Sequence, residues 1–336
     1  MHPLRQLFWE CTLRCNMSCL HCGSDCKVSS VLPDMPAEDF LKVIDEQITP
    51  HVNPHLLMVI FSGGEPLMRG DIEEVGRALY EREYPWGMVS NGLLLTQERF
   101  ERLVQAGLRS MTISCDGLEP DHTWLRNNPQ AFQGATNAIR LLAGSNLTWD
   151  VVTCVNKRTI HQLDAIRKQL WELGCRRWRL FTIVPMGRAI HHPELFLDEQ
   201  EFETMMRFID DERKQNRQVS FSCESFLGDW EGKVRNYLYQ CAAGISVASI
   251  LVDGHISACT SVRGKYYQGN IYHDNFWDVW ENRFEQYRNR DWMRTTKPCN
   301  DCTFFRYCEG GGMHLRAENG DLLCCRTVNY NVNGKI

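Results

Sequence analysis

The sequence contains no run of roughly 18 consecutive apolar residues, so nothing in it reads as a membrane span. A basic surplus is missing as well. Lys and Arg number 37 against 42 Asp and Glu, a net charge of -5, whereas nucleic-acid binders carry excess positive charge. The opening residues, Met1-His2-Pro3-Leu4-Arg5-Gln6, hold no apolar core of the kind that directs export. These absences set the expectation of a cytoplasmic protein with neither membrane nor nucleic acid as partner. Internal repeats, low-complexity tracts and obvious linkers are also lacking.

What remains is an ordinary globular composition, 43% hydrophobic and 24% charged, with one exception. There are 16 cysteines in 336 residues. A chain this long buries a core without staples, and the cytosol disfavours disulfides, so the thiols point to metal. They cluster at Cys11 to Cys26 and again from Cys223 to Cys325, with only Cys115, Cys154 and Cys175 between.

The cysteine-poor middle alternates strands and helices. Leu7–Glu10, Leu56–Phe61, Trp86–Val89, Met111–Ser114, Asp150–Val155 and Arg179–Ile183 read as strands. Helices are expected over Pro36–Ile48, Ile72–Tyr80, a Thr96-capped segment with Phe100, Leu103, Val104 and Leu108 as its stripe, Gln130–Ala143, Leu163–Leu173 and Glu199–Asp211. Six such units predict an α/β protein with a parallel sheet curled into a partial (β/α)6 TIM-like barrel. The polar stretch Asp211–Gln218 is the expected boundary, giving a barrel over residues 1–215. A small cysteine-rich α+β domain follows over 216–327, with a flexible tail over 328–336. In that domain Phe276–Tyr287 reads as one helix, and bound metal would supply the missing stability.

Cys15-Asn16-Met17-Ser18-Cys19-Leu20-His21-Cys22 is a C-x3-C-x2-C run directly after the first strand. Three thiolates this close can hold a cubane and leave one iron open. A zinc knuckle completed by His21 or Cys26, or free buried thiols, are the other readings. Gly63-Gly64-Glu65-Pro66 ends the second strand, Ser90-Asn91 the third, Ser114-Cys115-Asp116 the fourth and Val155-Asn156 the fifth. The sixth runs into Ile183-Val184-Pro185-Met186-Gly187-Arg188. Polar clusters at this mouth of a barrel are where ligands bind, although Asn-Gly and Asp-Gly also serve as plain turns. Strand alternation sends Cys115 away from Ser114 and Asp116 into the core.

With these residues in place the chain resembles the radical S-adenosylmethionine superfamily. That resemblance implies a [4Fe-4S] cluster on Cys15, Cys19 and Cys22. S-adenosylmethionine would sit at its open iron and be cleaved to a 5′-deoxyadenosyl radical. It further implies cofactor contacts from Gly63, Gly64, Glu65, Pro66, Ser90, Asn91, Ser114, Asp116, Asn156, Ile183 and Pro185. His21 stands where an aromatic residue is usual. An electron donor such as flavodoxin or ferredoxin is implied too.

The C-terminal cysteines follow a second pattern. Cys241, Gly254 and Cys259 fit C-x(9–15)-G-x4-C, and Cys299-x2-Cys302-x5-Cys308 precedes Cys324-Cys325. This resembles the SPASM extension, which implies one auxiliary [4Fe-4S] cluster on Cys299, Cys302, Cys308 and either Cys324 or Cys325. A second would use Cys241 and Cys259, but Gly312 occupies the slot of its further cysteine. It is left open whether that cluster is absent, has an open iron, is a [2Fe-2S] form or borrows His314 or the spare cysteine. A zinc ribbon on Cys299 and Cys302 is the alternative reading of the region. Cys11, Cys26, Cys154, Cys175 and Cys223 read as small buried hydrophobes; Trp124, Trp149, Trp178 and Trp230 read as core.

The resemblance implies oxidative modification, a cross-link or dehydrogenation, of a peptide or protein side chain. The short segment before Cys15 sets the expectation that no leader-binding module is present. Thr260 and Ser261 stand where sulfatase-maturing relatives carry an acidic base. A small-molecule enzyme trimming a tetrapyrrole side chain is the second reading, and a non-catalytic electron carrier or zinc scaffold the third.

Overall fold

The computed structural model describes residues 2–327 and the backbone of 330–331. Strands β1 (Gln6–Thr12), β2 (Met58–Gly63), β3 (Trp86–Ser90), β4 (Leu108–Ser114), β5 (Thr148–Val155), β6 (Arg177–Thr182) and β7 (Gln218–Phe221) lie in that order and all pair in parallel. Helices α1 (Ala37–Val43, prolonged by a wider turn over Ile44–Ile48), α2 (Ile72–Glu81), α3 (Gln97–Gln105), α4 (Glu119–Arg126), α5 (Ala131–Ala143), α6 (Leu163–Glu172) and α7 (Glu199–Lys214) form the crossovers. Parallel pairing demands such crossovers. The edges of the sheet do not meet, so the barrel is partial.

Beyond β7 the chain returns to the opposite edge. β8 (Val247–Ile250) pairs in parallel with β1, followed by antiparallel β9 (His255–Ser257) and β10 (Gly269–Asn270). One ten-stranded sheet therefore runs through both the barrel and the cysteine-rich part. Helices α8 (Phe276–Asn282), α9 (Glu285–Arg288) and α10 (Phe305–Cys308) complete that part with the ribbon β11 (Cys324–Cys325) and β12 (Tyr330–Asn331). The tail expected after 328 lies outside the described residues except for the backbone of β12. No described helix is long and apolar enough to cross a membrane.

Aromatic side chains fill the space behind β1 to β3. Trp9 stacks on Phe40 at 4.3 Å, and Phe61 packs between Trp9 and Trp86. Trp178 is fully buried, while Trp124, Trp149 and Trp230 are only partly so.

Three local expectations need correction. Val104 is 43% exposed and Leu108 opens β4, so the buried stripe of α3 reduces to Phe100 and Leu103. Helix α4 was not foreseen; Pro120 sits in its first turn and Asn127 ends it in the left-handed conformation. The helix expected over Phe276–Tyr287 breaks at Arg283–Phe284. Arg288 folds back there to cap the carbonyls of Trp280 and Glu281, so the last turn of α8 is satisfied without continuing.

Candidate active site

The thiol loop leaves β1 at the mouth of the barrel and is fastened on three sides. The first fastening comes from β2. Just past its end the Gly64 and Glu65 amides donate to the carbonyls of Thr12 (2.7 Å) and Arg14 (2.9 Å). A Cβ on Gly63 or Gly64 would lie 2.2 Å from those same oxygens, and Gly63 has φ +125°. The two glycines thus admit the backbone of the loop's root, and only glycine accepts that approach.

The second fastening is Arg188, beyond β6. Its backbone N–H donates to the carbonyl of Cys22 at 3.0 Å, and its side chain to the carbonyls of Cys19 and Cys26, each at 2.8 Å. It also pairs with Asp25 at 2.9 Å. Gly187, at φ +55°, lets the two segments touch, since a Cβ there would sit 2.4 Å from the Cys22 carbonyl. The third fastening comes from α4, where Arg126 lies against the Cys19 sulfur at 3.8 Å.

Cys15, Cys19 and Cys22 are unpaired thiols. Each sulfur faces an N–H donor: Asn91 Nδ2 for Cys15 at 3.9 Å, Arg126 Nη1 for Cys19, and the Cys26 amide for Cys22 at 3.4 Å. Donors directed at sulfur stabilise thiolate over thiol. Burial pushes Cys15 up to about 12 and raises Cys19. The Cys26 thiol and amide hold Cys22 well below the ordinary thiol range. This donor set fits an iron–sulfur cluster, whose binding would release the protons that burial retains.

Around the loop the residues expected at the strand ends separate into open and engaged groups. Glu65 is fully enclosed and accepts from Ser90 Oγ (2.8 Å), the Asn91 amide (2.7 Å) and the Leu67 amide (3.2 Å). Burial nevertheless raises its carboxyl. Asn91 also donates to Asn16 Oδ1 at 2.7 Å. Asp116 is spent on protein partners: Arg126 Nε at 2.6 Å, the Cys154 amide at 2.8 Å, and His21 Nε2 at 3.9 Å. Burial opposes its ionisation, yet Arg126, His21 and His122 hold it at about 2. Asn156 keeps an open donor, for its buried Nδ2 meets no partner among the described residues. Ser114 and Ile183 are buried at the ends of β4 and β6, Pro185 is partly buried, and Met186 packs toward Gly23. His21, Asp116 and Cys154 approach one another within 4.8 Å, but Arg126 already neutralises the carboxylate. Cys115 is buried in the core.

Sequence reasoning missed Arg126, because an arginine on an unforeseen helix carries no spacing signal; it included Arg188 in the run ending the sixth strand but gave it no role at the thiol loop. It also missed that Cys26 backs Cys22.

A second group of thiols lines a hollow in the C-terminal part: Cys299, Cys302, Cys308, Cys324 and Cys325. Arg316 Nη2 donates to Cys299 Sγ at 3.3 Å. Cys325 acts electrostatically on Cys299, Cys308 and Cys324, and Cys324 also feels Arg326 and Glu224. Cys241 and Cys259 form a third group. Burial works against ionising Cys241, but Arg290, which also donates to its carbonyl at 3.2 Å, brings its thiol below the usual range. Burial pushes Cys259 up to about 11.

Of the five cysteines expected as buried hydrophobes, Cys11, Cys26 and Cys175 are buried and Cys154 is partly so. Cys223 is exposed. It follows β7, where the sheet ends and the chain turns toward Cys241.

Comparison with known proteins bears on both halves. A family model described as the Radical SAM superfamily matches residues 9–170, and one described as an iron–sulfur cluster-binding (SPASM) domain matches 241–303. The chain is 26% identical to the AdoMet-dependent heme synthase of Methanosarcina barkeri, covering 95% of this chain and 94% of that one. The corresponding enzyme of Nitratidesulfovibrio vulgaris is also 26% identical, over 93% and 87%. The PqqA peptide cyclase of Granulibacter bethesdensis is 21% identical, over 94% and 84%. Among solved structures, Streptococcus suis SuiB bound to S-adenosylmethionine superposes with a TM-score of 0.71 at 16% identity, over 92% of this chain and 73% of that one. The enzyme anSMEcpe with bound AdoMet gives 0.71 at 18%, over 94% and 91%. The partial barrel, the loop of thiols at its mouth and the two family matches agree, and the chain belongs to the radical SAM superfamily as an enzyme carrying a SPASM domain.

Proposed function

We propose that the protein oxidatively modifies a peptide or protein side chain, using S-adenosylmethionine at a cluster held by Cys15, Cys19 and Cys22. The observation that carries the catalytic part is the set of three unpaired, N–H-facing thiols beside the Gly63–Glu65 turn. When bound, the cluster and its cofactor supply reductive cleavage of a sulfonium and hydrogen abstraction from the substrate.

The chain's own residues supply position and polarity. Glu65, its carboxylate spent on Ser90 and on the Asn91 and Leu67 amides, fixes the shape of the Gly63–Glu65 turn beside which the cofactor's ammonium would sit. Asn156 offers its free amide N–H. Ile183 and Pro185 give an apolar edge suited to a purine. Asp116 keeps Arg126 oriented toward Cys19 and acts as a positioning residue. Cys299, Cys302, Cys308 and Cys325 would hold an auxiliary [4Fe-4S] cluster that accepts the electron left on the substrate. A small ferredoxin or flavodoxin would deliver the initiating electron.

A peptide substrate is supported by the PqqA peptide cyclase relative and by the fold shared with SuiB, which has been seen with its precursor peptide. A tetrapyrrole side chain is the second reading, favoured by the heme synthase relatives at 26% identity over most of both chains. Anaerobically reconstituted, reduced protein should form 5′-deoxyadenosine, and its rate should rise with the true substrate. Acceleration by candidate precursor peptides and not by iron-coproporphyrin supports the first reading; the reverse establishes the second. Absence of any cleavage under reduction would overturn both.

A further inference from the structure

The slot in which SPASM domains carry a further cysteine is Gly312 here. Its direction is instructive. A Cβ built on Gly312 would lie 2.4 Å from the backbone oxygen of Glu224 and 2.7 Å from the His314 ring. A Cβ on Gly311 would touch Ser225 at 3.9 Å. The segment that follows β7 therefore occupies the space into which a side chain at 312 would project.

That segment brings a thiol of its own. Cys223, Cys241 and Cys259 are close enough for their charges to act on one another. The Gly311–Met313 turn links the first two. Arg290 bridges the carbonyls of Gly311 and Cys241 at 3.0 and 3.2 Å, and Glu224 lies beneath Gly312. The Cys223 side chain is exposed.

The shelf bearing Cys223 is held on both sides. The Ser222 amide donates to the Leu180 carbonyl at 3.0 Å. Both oxygens of Glu224 accept from Thr182, from its amide and its hydroxyl, at 2.5 Å each. Tyr239 donates to the Glu224 carbonyl at 3.1 Å, and Arg235 to that of Ser225 at 3.0 Å. Thiols preorganised by their surroundings are what a cluster site requires.

From this geometry we infer that Cys223, Cys241 and Cys259 together hold an inner auxiliary iron–sulfur cluster, with Cys223 replacing the cysteine missing at 312. Three thiolates on a four-iron cube leave one iron without a protein ligand, open to a substrate heteroatom or an added small ligand. His314 takes no part: it is packed under Gly312. Cys324 takes no part either, since it lines the outer hollow with Cys299, Cys302, Cys308 and Cys325.

This inference rests on the radical SAM and SPASM reading, and the test separates the two. Anaerobically reconstituted wild type should contain about twelve irons per chain, and Cys223→Ser about eight. Cys241→Ser should lose the same irons, and the double variant no more than either single one. Cys299→Ser should lose a different set. A Cys175→Ser control should retain them all. Equal iron in wild type and Cys223→Ser overturns the inference while leaving the catalytic cluster standing; zinc in place of iron at every site overturns the underlying reading.

Alkylation of the wild type provides a measurement that does not depend on a variant folding. Cys223 should be labelled by iodoacetamide in chelator-stripped protein and protected after reconstitution, as read by mass spectrometry. Labelling unchanged by reconstitution overturns the inference as well.

Discussion

The guanidinium of Arg126 lies 3.8 Å from the sulfur of Cys19 while its Nε binds the buried carboxylate of Asp116 at 2.6 Å. A cation between a thiol and a carboxylate stabilises the ionised form of both. The helix that carries Arg126 also receives the thiol loop, as the Leu20 amide donates to the Leu125 carbonyl at 2.9 Å.

Replacing Arg126 by Met should therefore act on stability and on cluster retention together. Asp116 would be left buried without its cation, at a cost of about 3–5 kcal/mol. Arg126→Met should lower the denaturation midpoint of the apoprotein and reduce the iron bound after reconstitution. Asp116→Asn should show a smaller stability loss, because the amide still accepts from the Cys154 N–H. Unchanged iron content in Arg126→Met would remove Arg126 from the site.

Arg188 and Gly187 should behave differently from one another. Arg188→Lys keeps the charge but loses the fork that reaches Cys19, Cys26 and Asp25 together. Its fold should survive, and a chelator should strip iron from the N-terminal loop several-fold faster. Gly187→Ala places a Cβ against the Cys22 carbonyl at a positive φ, and should cost about 1–3 kcal/mol. Thermal unfolding of apoprotein and iron-release kinetics distinguish the two effects.

The Cys324-Cys325 pair offers a sharper comparison. Cys325→Ala should remove about four irons per chain, and Cys324→Ala none. Iron and sulfide analysis of the two variants, side by side, checks the assignment. The opposite result would reverse their roles.

Acid should destabilise the barrel through His122. Its Nδ1 accepts the Asp116 amide N–H at 2.9 Å, which requires the neutral ring. Burial lowers its pKa to about 4 from 6.5, despite the attraction of Asp116. The folded value is the lower one, so the unfolded chain takes up the proton first. The stabilisation is complete above about pH 6.5 and is lost as pH falls toward 4, roughly 3 kcal/mol in all. In His122→Asn, which keeps an acceptor and cannot be protonated there, the drop in unfolding midpoint between pH 7 and pH 4.5 should shrink.

The sequence disclosed the sheet well because parallel strands covered on both faces leave continuous apolar runs, such as Met58–Phe61, between amphipathic helices. The thiol loop was legible for a related reason: ligands from one short loop must be close in sequence. Elements held by distant partners were not legible. Phe276–Tyr287 has the periodicity of one helix, and only Arg288 capping Trp280 from below reveals the break. Val104 follows the stripe of α3 but is exposed, and Leu108 lies in β4 because the helix ends at Gln105. Cys223 stood apart from every motif, because it follows β7 at one edge of the sheet and is distant in sequence from Cys241 and Cys259, which flank the β8–β9 pair on the far side of β1.

The pairing of β8 with β1, residue against residue from Gln6↔Val247 to Trp9↔Ile250, reaches beyond architecture. Severing the chain near residue 215 would strip that flank of β1 bare and take Arg263 from Glu10, a fully buried carboxylate at the threshold of the thiol loop. A protein shortened in this way would present raw strand edges to its neighbours and stick to them. The N-terminal half is thus no free-standing catalyst, and the C-terminal half is a wall of the same vessel.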